Sequence, residues 1–378
     1  MAMNINNLEE GKLNKESSHH QDYEVASMVK SVPEAMKWGL LLLSCTFNLL
    51  GWTGGPLLLR FYFLHGGSRK WLSSVLQAAG FPILIVPLAV LYSQRDGSRP
   101  NIEFFASPKL LFYAALIGST QGIVNFMYCY GLLYLPVSTS SLILTTQLVF
   151  TSFISFFWVK QKFTPYSINA IVVIIMGSIL LAMTRSGDPP PGVTNSQYLL
   201  GFFMTIAAAS TIGTLLVATQ VAYAKANQAM TYPIVLQFQV CNAFFATLIG
   251  TIGGLAAMDF SAMRREASEF DYGAKAYYLV LISNMVVWQL MYIGRVGIIF
   301  CTSSLFAGVM NTTILPITQI AAVITFHESF TAEKGMSLAL TLWGFTSYFY
   351  GSYKNKRQSQ QQQPHETKDA IVLVQPNK

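Results

Sequence analysis

Apolar stretches recur along the chain with short polar breaks between them, at residues 38–59, 72–92, 110–133, 138–158, 166–184, 198–224, 232–257, 276–297, 302–326 and 335–351. Most approach the roughly 20 residues that cross about 30 Å of hydrocarbon as a helix. A lone strand would leave its peptide groups unpaired in lipid, so each stretch is predicted to be helical. The two ends differ in kind. Residues 1–36 are polar and lack the short apolar core and small-residue cleavage site of a secretory signal. Residues 353–378 carry a glutamine run that cannot build a core. Both ends are predicted to be disordered tails.

The pattern repeats internally. Thr139-Ser140-Ser141-Leu142 opens the fourth stretch and Thr302-Ser303-Ser304-Leu305 opens the ninth, 163 residues later. Phe163-Thr164 returns as Phe330-Thr331 after 167 residues. The two offsets differ by about one helical turn. Five stretches per half is an odd number, which forces the halves to insert in opposite directions. The predicted fold is an all-α polytopic membrane protein, with ten transmembrane helices in two inverted five-helix repeats, 37–184 and 198–352, joined by a linker loop at 185–197. Inverted repeats of this kind build many secondary transporters and place the cargo near the midplane between the halves.

Composition agrees with a bilayer. The chain is 52% hydrophobic and 11% charged, against about 25% charged in soluble domains, which excludes a disordered, fibrous or ordinary cytosolic protein. The net charge of +7 is spread over loops and tails, with no basic stripe interleaved with aromatics that would bind nucleic acid. Of the 24 Lys and Arg, 16 fall on the side of the two tails, which predicts cytoplasmic termini. The plasma membrane is the expected host, although no retention or lipidation motif separates it from an endomembrane or the vacuolar membrane. Small-residue pairs such as Ser347 and Gly351 permit a homodimer.

Enzyme chemistry finds no support. Cys45, Cys129, Cys241 and Cys301 stand apart in apolar runs without CxxC spacing, so neither a disulfide framework, a metal nor a cofactor is expected. There is no phosphate-binding GxxxxGK[ST], and His327-Glu328 continues as Ser-Phe-Thr rather than as a zinc motif. A carrier of this composition would run downhill or on an ion gradient. Ionisable groups inside the apolar stretches are costly and functional by default, and they are scarce. Arg60 and Arg295 lie toward stretch ends, where snorkelling to the interface is expected. An uncharged chamber and a neutral or weakly basic cargo follow.

Neutral amides are abundant by contrast, and some must join helices together. Helical spacing selects candidates for a cargo site. Gln121, Asn125 and Tyr128 share one face of the third stretch, while Asn284, Trp288, Tyr292 and Arg295 share one face of the eighth. Gln147 in the fourth stretch, Gln289 in the eighth and Asn311 in the ninth complete the set. Amides pair in two-point fashion with adjacent ring nitrogen and amino groups, and Trp and Tyr faces accept flat rings or cationic amines. A nitrogen heterocycle fits this mixture. Gly54-Gly55-Pro56 in the first stretch is expected to break the helix and to line the site or its gate.

The motifs resemble those of the plant purine permeases, a branch of the drug/metabolite transporter superfamily, over about residues 37–352. They are Gly54-Gly55-Pro56 with Arg60-Phe61-Tyr62-Phe63, Lys70-Trp71-Leu72-Ser73 with Gln77 and Ala79-Gly80-Phe81-Pro82, and Tyr134-Leu135-Pro136-Val137-Ser138-Thr139. Trp288-Gln289, Phe326-His327-Glu328 and Trp343-Gly344-Phe345 continue the match. The resemblance implies proton-linked transport of adenine, cytokinins or similar heterocycles, with carriers of alkaloids or vitamin B6 among the relatives. A membrane receptor that binds cytokinin without moving it is the alternative from another class. Ser329 departs from the Lys expected after the His-Glu pair. Because a coupled carrier needs a group that gains and loses a proton, His327 and Glu328 are the coupling candidates. The expected partners are thus a small heterocycle, protons and the lipid bilayer.

Overall fold

The computed structural model describes residues 34–93, 105–158, 165–183, 192–226, 231–301, 304–328 and 330–372. Among them are thirteen helices and no strand. They are α1 (Glu34–Leu64), α2 (Lys70–Leu76), α3 (Pro82–Ser93), α4 (Pro108–Tyr134), α5 (Val137–Leu144), α6 (Gln147–Trp158) and α7 (Pro165–Met183). Next come α8 (Asn195–Lys225), α9 (Tyr232–Ala256), α10 (Asp259–Glu269), α11 (Gly273–Cys301), α12 (Ser304–Phe326) and α13 (Ala332–Val372). Every apolar stretch falls on helix, and six helical segments of the described residues are long and apolar enough to cross a membrane. Pro82–Ser93, Ile168–Leu180 and Thr313–Phe326 are shorter apolar helices. Large apolar side chains such as Phe112, Phe157, Leu279 and Trp343 are exposed on the outer faces, as hydrocarbon demands. The chain is an integral membrane protein.

Two apolar stretches are broken where hydropathy gives no sign. The second divides at Gln77–Phe81, where a turn containing Gly80 ends α2 and Pro82 opens α3, a position where its missing N–H costs nothing. The fourth divides at Thr145 and Thr146. Their hydroxyls donate to the carbonyls of Leu142 at 2.6 Å and Ile143 at 2.7 Å, and Thr145 N–H reaches Leu142 O rather than a carbonyl four residues back. Such back-bonding competes with the helical ladder and tightens its last turn.

The expected break at Gly54-Gly55-Pro56 does not occur. Helix α1 runs unbroken from Glu34 to Leu64 with Pro56 inside it. The glycines serve packing instead. A methyl group at Gly51 would lie 2.4 Å from Met291 Cβ, and one at Gly55 would lie 2.7 Å from the Trp288 ring. Bare backbone lets α1 and α11 cross at close range. The second departure is at the C-terminus, where α13 continues to Val372 through residues expected to form a tail. Gln, Lys and Arg are good helix formers, and extending an existing helix needs no new nucleus. Residues 1–33 of the other expected tail lie outside the described residues.

Helix α10 lies between the seventh and eighth stretches and was not anticipated. Its charge pattern reads as a solvated loop, yet Asp259 and Glu266 are buried. Glu266 accepts from Tyr62 OH at 2.6 Å, Tyr277 OH at 2.9 Å and Ser68 N at 2.7 Å. Asp259 accepts from Trp71 N at 3.0 Å and so caps α2. Together they fasten the turn between α1 and α2 to the start of α11.

Candidate functional site

A cavity of about 650 Å³ lies among α4, α6, α8, α9 and α11, with contributions from α1, α5, α12, α13 and Gln77 in the turn after α2. That volume is within the roughly 300–1,000 Å³ of small-molecule sites. Its lining runs from the middle of the helices, at Trp52, Asn125 and Trp288, toward one end of the bundle, at Ser155, Gln220, Tyr223, Arg295 and Phe349. At that end α4 and α9 begin while α6, α8 and α11 finish.

Of the residues expected from sequence, Gln121, Asn125, Tyr128, Gln147, Trp288, Tyr292 and Asn311 line the cavity together. Asn125 is oriented by its neighbours. Gln121 Nε2 donates to its Oδ1 at 2.8 Å, Gln77 Nε2 approaches its carbonyl at 3.4 Å, and Asn125 Nδ2 is buried without a partner. Asn311 Oδ1 accepts from Asn48 Nδ2 and from Trp52 Nε1, both at 3.0 Å, which ties α12 to α1. Trp288 stands edge-on between Trp52 and Tyr128, with ring centres 6.2 and 6.5 Å away. The wall is therefore an aromatic corner flanked by amides.

Asn284 and Gln289 are not part of the lining. Asn284 is buried against α1, with Nδ2 at 3.4 Å from Gly55 O, and Gln289 is buried where the bare Gly80 leaves it room. Both faces of α11 meet other helices, so spacing alone cannot tell which side is empty. Gly54, Gly55 and Pro56 also lie off the lining, although Trp52 on the same helix contributes to it. Arg295 corrects the expectation of an uncharged chamber. It turns into the cavity beside Tyr223 and Tyr292 instead of reaching the interface. Gln77, Gln220, Gln239 and Asn242 line the cavity too. Their amides inside apolar runs were the available signal, with no repeat to select them.

His327 and Glu328 sit at the opposite end of the bundle from Gln220, Tyr223 and Arg295 of the cavity lining. Glu328 is half-buried and accepts from Val137 N at 2.8 Å, Ser138 N at 3.0 Å and Ser138 Oγ, so its carboxylate caps the N-terminus of α5. His327 is exposed and has a positive φ of 50°. Nearby, Arg60 Nη1 donates to the carbonyls of Leu132 at 2.7 Å and Leu133 at 2.9 Å, the last turn of α4. Both flanks of the turn between α4 and α5 are thus clasped by charged side chains from elsewhere, Arg60 on α1 and Glu328 between α12 and α13.

An all-helical bundle with apolar outer faces and a polar-lined interior cavity is the form of a membrane carrier. Residues 39–358 match a family described as purine nucleobase transmembrane transport. Purine permease 3 of Arabidopsis thaliana is 44% identical over 88% of this chain and 97% of its own. Purine permease 2 of the same plant is 41% identical over 86% and 96%. The chain belongs to this purine permease family, and is a transporter and not an enzyme. A solved crystal structure shares the fold with a TM-score of 0.51 at 15% identity, covering 82% of this chain and 97% of that one.

Proposed function

We propose that the chain carries purine nucleobases and cytokinin-like derivatives by alternating access, coupled to protons, with the cavity as its cargo site. The observation that carries this reading is the aromatic and amide lining of one interior cavity in a chain so similar to proteins named purine permeases. The ten-crossing inverted repeat belongs to the same proposal, and helix pairing supports it. Helix α1 packs on α11 as α8 packs on α4, and α1 packs on α12 as α8 packs on α5 and α6. Exchanging the halves turns each pairing into its counterpart. The pairs α7 with α13 and α5 with α12 map onto themselves.

With both termini cytoplasmic, as the Lys and Arg distribution favours, the cavity lining extends toward the cytoplasm and the Arg60 and Glu328 clasps lie on the outer side. A proton on one Glu328 oxygen would remove the charge and weaken the hydrogen bond that oxygen accepts from α5, and so loosen the start of that helix. That is the coupling route we propose, with the exposed His327 beside it as a relay.

Uptake of radiolabelled adenine and trans-zeatin into a transport-deficient yeast strain tests the proposal. Saturable uptake stimulated by external acid is expected, with the acid stimulation lost in Glu328→Gln. No uptake above the empty vector at acidic external pH would remove the reading; stimulation that survives in Glu328→Gln would remove only the coupling role.

A further inference from the structure

Among the described residues, the cavity lining contains one formally charged side chain, Arg295, and no Asp, Glu or His. Arg60 is matched by two carbonyls and Arg69 lies 3.9 Å from both Asp259 and Glu266. Arg295 has far poorer company. Its Nη2 meets the thioether of Met291 at 3.1 Å, its guanidinium carbon lies 5.6 Å from the Tyr292 ring centre, and its Nε is buried without a partner. A thioether is a weak acceptor. A cation in a membrane interior normally faces a counter-charge or a functional cavity, and here only the cavity remains.

The shape of the group narrows what can complete it. A guanidinium carries five donors and no acceptor, arranged as a planar fork. It rejects amino groups and holds two neighbouring acceptors in parallel, such as the O6 and N7 atoms on one purine edge. A protonated amine would bring a like charge into a site of low dielectric. The amides of Gln121 and Asn125, farther along the same cavity, suit the mixed donor and acceptor edge of adenine instead.

Resting on the reading of the cavity as a cargo site, we propose that Arg295 is the specificity-determining residue for 6-oxopurines, its fork donating to the exocyclic oxygen and the adjacent ring nitrogen. Arg295 makes the carrier accept acceptor-edged rings and disfavour cationic ones. The assignment concerns which base is held, and not whether the carrier cycles.

The test is uptake of tritiated adenine into yeast expressing the full chain, competed by unlabelled adenine and by hypoxanthine. The half-inhibitory concentration of hypoxanthine relative to that of adenine is expected to rise at least roughly tenfold in Arg295→Gln. It rises less in Arg295→Lys, which keeps the charge and loses the fork. A structural role would shift both competitors together, and an unchanged ratio would overturn the assignment. Should neither variant reach the membrane, the unaltered chain decides, because hypoxanthine must compete about tenfold better than 7-deazahypoxanthine, which lacks the N7 acceptor. Equal competition overturns the proposal. Replacement of chloride by gluconate is expected to leave the ratio unaltered. A ratio that changes with chloride would give the guanidinium to a free anion instead. Failure of the unaltered chain to take up adenine at all would fell the cargo reading itself, a result distinct from an unchanged ratio.

Discussion

At the level of single residues, Asn125 and Trp288 bear the greatest load in the cavity wall. Asn125 Oδ1 accepts from Gln121 Nε2 at 2.8 Å. Trp288 is the ring against which Trp52 and Tyr128 both stand. Asn125→Ala strands the Gln121 amide, a loss of about 1–3 kcal/mol, and removes the buried Nδ2 donor as well. Trp288→Ala removes the aromatic corner. Each substitution is expected to cut adenine uptake roughly tenfold or more while surface biotinylation stays normal; unaltered uptake would locate the cargo elsewhere. The i, i+4, i+7 spacing of Gln121, Asn125 and Tyr128 made this wall legible in the sequence. The same spacing put Arg295 on the face of Trp288 and Tyr292, but its place near a helix end made snorkelling the ordinary expectation. It lines the cavity with Tyr223, a residue 72 positions earlier on another helix, a proximity that spacing along one helix does not reveal.

Among the helices, the sequence was most readable where length and apolarity alone decide. All ten apolar stretches became helix, since no other backbone arrangement satisfies an isolated crossing segment. Interruptions and close crossings were harder to see, because they depend on side-chain chemistry that hydropathy does not weigh. Threonine hydroxyls interrupt the fourth stretch, whereas three glycines and a proline leave α1 whole. The glycines are read correctly only once Met291 and Trp288 are seen opposite them. This yields a stability prediction. Gly51→Val places a branched side chain where even a methyl group lies 2.4 Å from Met291 Cβ and 2.5 Å from Met291 N. Backbone cannot retreat as a side chain tip can, so overpacking of about 1–3 kcal/mol is expected. Thermal melting of the detergent-solubilised protein should fall measurably for Gly51→Val and hold steady for Gly39→Val, where no atom lies within 4 Å. Equal melting temperatures for the two variants would contradict the close crossing.

For the molecule as a whole, the asymmetry of the cavity defines a state. Its lining descends to Gln220 and Tyr223 near the end of α8, while at the other end Arg60, Glu328 and Glu266 hold turns together through hydrogen bonds that cross between helices. A bundle held by polar clasps at one end, with its cavity lining extended toward the other, can exchange these conditions only if the clasps open, since packed cores switch between discrete arrangements and do not deform smoothly. On the orientation proposed above that other end is the cytoplasmic one, and we propose that the resting carrier takes its cargo from there. In a chain whose four cysteines are replaced by alanine, Gln220→Cys places an exposed thiol in the cavity lining, and Phe330→Cys, half exposed, reports the far side. A membrane-impermeant thiol reagent should modify the first in inside-out vesicles and the second in intact cells when no cargo is present. Adenine should slow the first reaction and spare the second. Modification of Gln220→Cys from outside the cell alone would invert the orientation, and with it the assignment of the clasps to the outer gate.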